Sequence, residues 1–467
     1  MQPVLIGIGV YLVVQFALGM LVSRRIASES DYLLAGRRLG VTLAAFSIFA
    51  TWFGAETVVG AAGRIYQNGL SGGSADPFGY ALCLVVLGVV IAVPLWRKQY
   101  TTFGDMFRDR YSQGVERLAV LLMVPTSVLW AAAQIRAFGQ VVSVSSDIGV
   151  DIAITAAAAF VIIYTVAGGL LADVVTDCVQ SIGIVIGLAI LLFAIGNAHG
   201  GLPALVASID PERLGLFSTA DATPVEMLEA WAVPVCGSLL AVEMLSRILG
   251  CKTAATARNA TLIGATIYLA VGVIPVTIGL VGPDLLPGLE EPEQLVTALA
   301  EQHLSTLLYV LFAGALISAI LSTVDSCLLA AGSLVSHNLI VPLNPTMTDR
   351  QKVRTARIGV AVFGVVAYVI ALYGGTIFEL VETASALGSA GIFVVGLFGL
   401  FSRRFGGAPS AYAALVTGVV VWAAGEYWLE WSTPYVIALA ASLGAYLLAA
   451  LVVRRAPIEA PAAERAF

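Results

Sequence analysis

The sequence predicts an all-α polytopic membrane protein of about 13 transmembrane helices, and three observations carry that prediction. Of its 467 residues, 59% are hydrophobic and only 12% charged, against roughly 25% charged in soluble domains. Apolar runs near 20 residues, the length that crosses a bilayer as helix, recur along the whole chain, and the mean hydropathy is +0.93. Finally, the basic residues gather in alternate connecting segments. The spans are drawn at 4–22, 41–66, 77–96, 117–138, 149–168, 171–196, 225–248, 259–281, 304–335, 355–373, 376–401, 409–427 and 433–453. With the N-terminus outside, the inner segments receive 21 of the 24 Lys and Arg, and only Arg64, Arg136 and Arg213 are left over. The positive-inside rule therefore supports both the segmentation and an N-terminus-out, C-terminus-cytoplasmic orientation in the cell (inner) membrane.

Taken in order, the run from Val4 to Val22 ends in Ser23-Arg24-Arg25 and has no basic segment before it, so it reads as a retained first span rather than a signal peptide. Spans two to six and seven to eleven form two consecutive groups of five. An odd number of spans per group inverts the second group in the membrane, the arrangement of inverted-repeat transporters. One membrane domain is expected over 1–467: an extra span and loop (1–40), a first repeat (41–200), a second repeat (225–401), then two further spans and a short tail (402–467). Gly168-Gly169 brings spans five and six almost into contact. The outer loops around Asp210-Pro211-Glu212 and Glu290-Glu291-Pro292-Glu293 are acidic and turn-rich, which reads as solvation or short lid helices.

Some classes of chemistry are disfavoured. The five cysteines are scattered without a CxxC, and the three histidines stand singly, so neither a disulfide frame nor a metal centre is indicated. A GxxxxGK[ST] loop is absent, which argues against ATP-driven transport by this chain. No nucleophile and base pair marks an enzyme, and no basic tract suggests nucleic acid.

Three stretches carry the chemistry. Span two contains Phe49-Ala50-Thr51-Trp52-Phe53-Gly54-Ala55-Glu56-Thr57-Val58-Val59-Gly60. Glycines loosen a helix, and carbonyls freed in lipid need a partner, either a neighbouring helix or a cation with a bound solute. Span seven has Pro234-Val235-Cys236-Gly237-Ser238, also hostile to continuous helix. Two interrupted spans in corresponding positions point to a binding site. In span nine, Ala319, Ser322 and Ser326 share a face, with Thr323 beside them. One carbonyl and two hydroxyls there, with two carbonyls from a broken neighbour, make a five-oxygen set suited to Na+; back-bonding to i−4 carbonyls is the plainer alternative. In span six, Asp177 lies within the apolar segment and must be paired, protonated or cation-bound, as must Asp325. Asp173, at the helix start, fits a capping role.

Together, Gly168-Gly169-Leu170 with Thr176-Asp177 and Gln180, and Ala319 with Ser322-Thr323 and Asp325-Ser326, resemble the sodium:solute symporter family from about Asp31 to Arg404. Thr51-Trp52-Phe53-Gly54 and Trp130-Ala131-Ala132-Ala133 are most similar to its high-affinity choline transporter branch. The resemblance implies a LeuT-type fold and Na+-coupled symport. It places a Na+ site on the carbonyls of Ala50, Phe53 and Ala319 and the hydroxyls of Ser322 and Thr323. A possible second cation position falls on Asp177, Asp325 and Ser326, with Ser322. The solute would face Trp52, Glu56, Thr57, Asp76, Trp130 and the bend near Ala241. This chain has Glu243 and Glu382 in stretches where that branch has aromatic residues, so the aromatic cage is incomplete; these acids, with Glu56, are candidates for a solute ammonium or for gating. Arg136 is a candidate for a solute carboxylate.

The expected function is thus symport of a small polar cation or zwitterion, such as a choline, betaine or amino-acid-like solute, by alternating access. An organic acid, H+ coupling, a passive channel and a transport-derived sensor are the alternatives. The expected partners are Na+, the solute and the lipid bilayer, with the chain a monomer or weak homo-oligomer.

Overall fold

The structure is a computed structural model that describes residues 2–24, 26–144, 148–217, 223–402 and 404–452. Arg25, Arg403 and the tail that holds Arg454, Arg455 and Arg465 lie outside the described residues. The described chain is helical nearly throughout, with one isolated backbone bridge between Leu39 and Cys251. Ten described helices are long and apolar enough to cross a membrane, or up to twelve if each of two bent pairs is one span. That number falls short of thirteen partly because span two is not one helix. It divides into Val41–Trp52 and Ala61–Asn68, joined through a widened π-type turn at Glu56–Gly60.

Span seven is also divided. Pro224–Gly237 and Val242–Gly250 meet at 42° across a short extended link, with Ala241 at φ −60° and ψ 124°. Span eleven bends by 43° between Ile377–Ala386 and Ser389–Phe401. That third break was not expected from sequence; its signal is Gly388, which takes φ +70°, a conformation favoured only by glycine. Spans five and six, Val150–Gly168 and Leu170–Ala198, are separated by Gly169 alone, at φ +90°.

Spans four (Gln113–Val144) and nine (Thr306–Leu334) are the most enclosed, whereas spans one, ten and thirteen are the least. Span nine packs against spans four and six, and span eight (Ala254–Leu285) against the first half of span two. Large apolar side chains such as Val13, Val89 and Ile152 point outward, the inverse of a soluble protein and the pattern expected where lipid is the solvent. The two acidic connecting loops contain short helices, Leu202–Ala207 and Leu295–His303.

At the face where the basic loops gather, a polar clasp joins three segments. His337 contacts Glu29 at 2.8 Å through Nδ1 and Asp105 at 3.3 Å through Nε2. Lys352 lies 3.2 Å from the other Glu29 oxygen, and Asn338 donates to Asp105 and Glu116. Burial works to raise the Glu29 carboxyl, but the hydrogen bond and charge of His337, with Lys352, hold it below its ordinary value.

Candidate ion and solute site

The residues nominated for the ion come together where the broken span two meets span nine. Val41–Trp52 stops at Phe53, which adopts φ −95° and ψ 67°, so the carbonyls of the last turn leave the helical ladder. Ser322 donates to one of them, Ala50 O at 2.8 Å, and also lies 3.0 Å from Ala319 O. Thr323 donates to Ala319 O at 3.1 Å. Four of the five nominated oxygens therefore stand together, and Phe53 occupies the turn beside them. All five residues are buried. Gly54 follows directly, and a Cβ there would run into Glu56 Oε2 first, and would lie 2.8 Å from Thr323 Oγ1 and 2.9 Å from Gln134 Oε1. Glycine is needed for this close approach.

The donor set is neutral, hard and oxygen-only, which suits Na+ better than a transition metal.

The candidate solute region lies on the other side of the same break. Trp52, Tyr80 and Trp130 form a layer, with ring centroids 5.6 Å and 5.8 Å apart. Glu56 accepts from Gln134 Nε2 at 2.6 Å and from Trp130 Nε1 at 3.4 Å, and Gln134 Oε1 in turn accepts from the Ala55 amide at 3.0 Å. Asp76 accepts from Thr57 at 2.8 Å and from Tyr268 at 2.7 Å. Both carboxylates are almost wholly buried. Among the described residues, neither has a basic side chain within ion-pair distance.

Two cavities flank the aromatic layer. One, narrow, is lined by Glu56, Asp76, Tyr80, Pro234, Phe378 and Glu382. The other, also narrow, is lined by Trp130, Ser238, Ala241, Glu243 and Ser385. Of the eight residues nominated for the solute, Glu56, Asp76 and the exposed Glu382 line the first cavity and Trp130, Ala241 and Glu243 the second, while Trp52 stands in the aromatic layer and Thr57 bonds Asp76. Arg136 does not line either cavity. Its Nη1 donates to Ala371 O of span ten at 3.0 Å.

Several participants were missed. Tyr80 supplies the middle ring of the layer and donates to or accepts from Ser385 at 2.9 Å. Gln134 and Tyr268 hold the two acids. None of them stands in a local motif; each is isolated among apolar residues and joins the site only by folding.

Two readings of charge are corrected. Arg247 was counted among the basic residues facing the cytoplasm, yet it is fully buried. It sits one turn past the break in span seven, where it meets acids instead of water. Asp173 is not a helix cap: its Oδ2 lies 2.6 Å from Arg247 Nη2. Asp177 Oδ2 accepts from Ser47 at 2.5 Å and lies 3.3 Å from the same Arg247 nitrogen. Ser326 also contacts Arg247. Asp325 turns elsewhere and accepts from Thr165 of span five at 2.5 Å.

Interrupted helices that meet at a cluster of buried oxygens, beside a cavity with acidic side chains in its wall, are the arrangement of a secondary transporter with LeuT-type architecture. Residues 32–418 match the sodium:solute symporter family, and the chain belongs to that family. It is 29% identical over 421 residues to the human high affinity choline transporter 1, covering 81% of this chain and 71% of that protein. It is 26% identical over 451 residues to a sodium/proline symporter of Staphylococcus aureus, covering 92% and 86%. Its fold is similar to that of a Na+-coupled sialic acid symporter solved in a substrate-bound outward-open state, with a TM-score of 0.84 and 18% identity over 97% of this chain and 98% of that one. The chain is a multi-pass membrane transporter that couples symport to Na+ and is not an enzyme.

Proposed function

We propose that this symporter takes up a small organic solute carrying an ammonium group, either a cation or a zwitterion, by alternating access. The observation that carries the reading is the pair Glu56 and Asp76: buried, held by hydrogen bonds to neutral side chains, and without a basic partner among the described residues. An unpaired carboxylate in a membrane interior is costly, and a bound cation offsets that cost. The faces of Trp52, Tyr80 and Trp130 favour the same charge. Arg136, the one candidate for a solute carboxylate, is engaged with a backbone carbonyl, which disfavours an organic acid. Relatives named for choline and for proline fit this class, since each of those solutes bears a positively charged nitrogen.

In this reading Na+ binds the carbonyls of Ala50, Phe53 and Ala319 and the hydroxyls of Ser322 and Thr323. Bound there, it joins the two sides of the break and favours the conformation in which the solute layer is assembled, because only differential affinity lets an ion bias two states. The basic loops face the cytoplasm, and the N-terminus lies outside. Spans two to six and seven to eleven act as inverted repeats. At −100 mV one charge moved inward supplies about 2.3 kcal/mol before any concentration gradient.

A thermal-shift screen on the purified protein, with and without Na+, tests the solute class. Choline, betaine, proline and a diamine are compared with acetate, lactate and neutral sugars. Na+-dependent stabilisation by a member of the ammonium set is expected. Stabilisation confined to the carboxylates or sugars overturns the reading.

A further inference from the structure

A basic groove of about 770 Å³ opens at the face where the basic loops gather. It shares no residue with the two cavities beside the aromatic layer. One wall includes Ile26, just past span one, and the other is the start of span ten (Asp349–Tyr373), with Thr348, Arg350, Gln351, Arg354 and Arg357. The three arginines stand at i, i+4 and i+7, a spacing that places them on one face of the helix.

Arg357 is built into the floor. Its Nη2 donates to Ala167 O of span five at 3.4 Å, and its guanidinium lies 5.7 Å from the centre of the Tyr32 ring. Arg350 and Arg354 are exposed, and among the described residues neither has an acid within ion-pair distance. The acids close by are engaged elsewhere: Asp349 lies 4.0 Å from Lys352, and Glu29 meets His337 and Lys352. Thr348 caps the helix by accepting from the Gln351 amide, so the positive end of the helix dipole adds to the same charge. Like charges along one helix face repel one another, and an anion in the groove relieves that repulsion. Beyond Arg354 the same face continues as Ile358, Val362, Val365 and Val369, all apolar and all exposed. A soluble anion matches only the arginines, whereas an amphiphile matches the arginines and the apolar stripe together.

We propose that this groove binds one anionic phospholipid of the adjoining leaflet, with its phosphate between Arg350, Arg354 and Arg357 and an acyl chain along Ile358, Val362, Val365 and Val369. Basic pockets between membrane helices suit such headgroups, because the charge is concentrated at the depth where phosphates lie. Arginine adds a planar pair of donors that fits a phosphate. The bound lipid bridges the segment after span one and the start of span ten, which Glu29 and Lys352 already join. The site is independent of which solute the protein carries.

The test titrates the purified full-length protein with dioleoylphosphatidylglycerol or dioleoylphosphatidylcholine and counts retained lipid by native mass spectrometry. The wild type is expected to retain one phosphatidylglycerol in preference to phosphatidylcholine. Arg350→Gln with Arg354→Gln should weaken that retention roughly 30-fold, at roughly 5-fold for each charge removed. Arg97→Gln with Arg258→Gln takes two exposed charges from other basic loops and should retain lipid as the wild type does. Glycerophosphoglycerol, the same headgroup without chains, should not displace the lipid at equal concentration. Equal retention of the two lipids overturns the proposal, as does unchanged retention in the Arg350 and Arg354 variant. An equal loss in the Arg97 and Arg258 variant overturns it in favour of diffuse surface charge, and displacement by the chainless headgroup overturns it in favour of a soluble phosphate. Should the paired substitution not fold, Arg354→Gln alone, with its roughly 5-fold loss, still decides.

Discussion

Ser322→Ala is the sharpest probe of the proposed ion position. The hydroxyl lies 2.8 Å from Ala50 O and 3.0 Å from Ala319 O, so it touches oxygens contributed by both helices. Removing it deletes one of five ligands and leaves the Ala50 carbonyl, already outside the helical ladder, without its donor in the ion-free protein. Loss of one strong polar partner in a buried site costs about 1–3 kcal/mol. At about 1.4 kcal/mol per tenfold, that predicts a rise of roughly 5- to 150-fold in the Na+ concentration for half-saturation. The lower part of that range is favoured because the ion-free state is destabilised as well. Trp52 and Trp130 lie near the break, so Na+-dependent tryptophan fluorescence on purified protein can follow the titration. Ser322→Thr keeps the hydroxyl and should shift the curve far less. An alanine variant whose curve overlays that of the wild type refutes the assignment, since no geometry in which Ser322 binds the ion survives that result.

Three further outcomes follow from the same geometry. Gly54→Ala drives a methyl group into Glu56 and towards Thr323 and Gln134; overpacking of this kind costs about 1–3 kcal/mol and should weaken both solute and Na+ binding while leaving the helical content by circular dichroism unchanged. Glu56→Gln removes a negative charge without removing volume, and solute affinity measured by calorimetry should fall roughly 10- to 100-fold, in line with about 1.5–3 kcal/mol for a charged hydrogen bond, with Na+ affinity less affected. The Glu29 carboxyl is held below its ordinary value of 4.5 despite burial. A depressed acid contributes stability that is complete above that value and is lost as pH falls through the folded pKa. The melting temperature of Glu29→Gln should therefore lie below that of the wild type near neutral pH, and the gap should close as the pH drops below 4.5; a gap that widens on acidification contradicts the clasp.

The membrane class and the placement of most spans were legible in the sequence, because each depends on local composition. Hydrocarbon demands runs of apolar residues of a given length, and that demand is written into consecutive positions. The breaks in spans two and seven were legible for the same reason, since Gly54, Pro234 and Gly237 act on their own backbone. Span nine also showed its hydroxyls openly, at helical spacing.

What the tertiary structure alone decided are the pairings. Nothing around Arg247 announces that it is buried, for it stands in a stretch that also ends in basic loop residues; only packing brings Asp173, Asp177, Ser47 and Ser326 to it from three other spans. Tyr80 likewise reads as one more aromatic residue in an apolar run until it comes to lie between Trp52 and Trp130. Local propensity acts over a few residues, whereas a charge in a membrane interior is stabilised by whatever lies within a few ångströms in space. Sequence order determines which residues must find partners there, and the packing of the helices determines which partners they find.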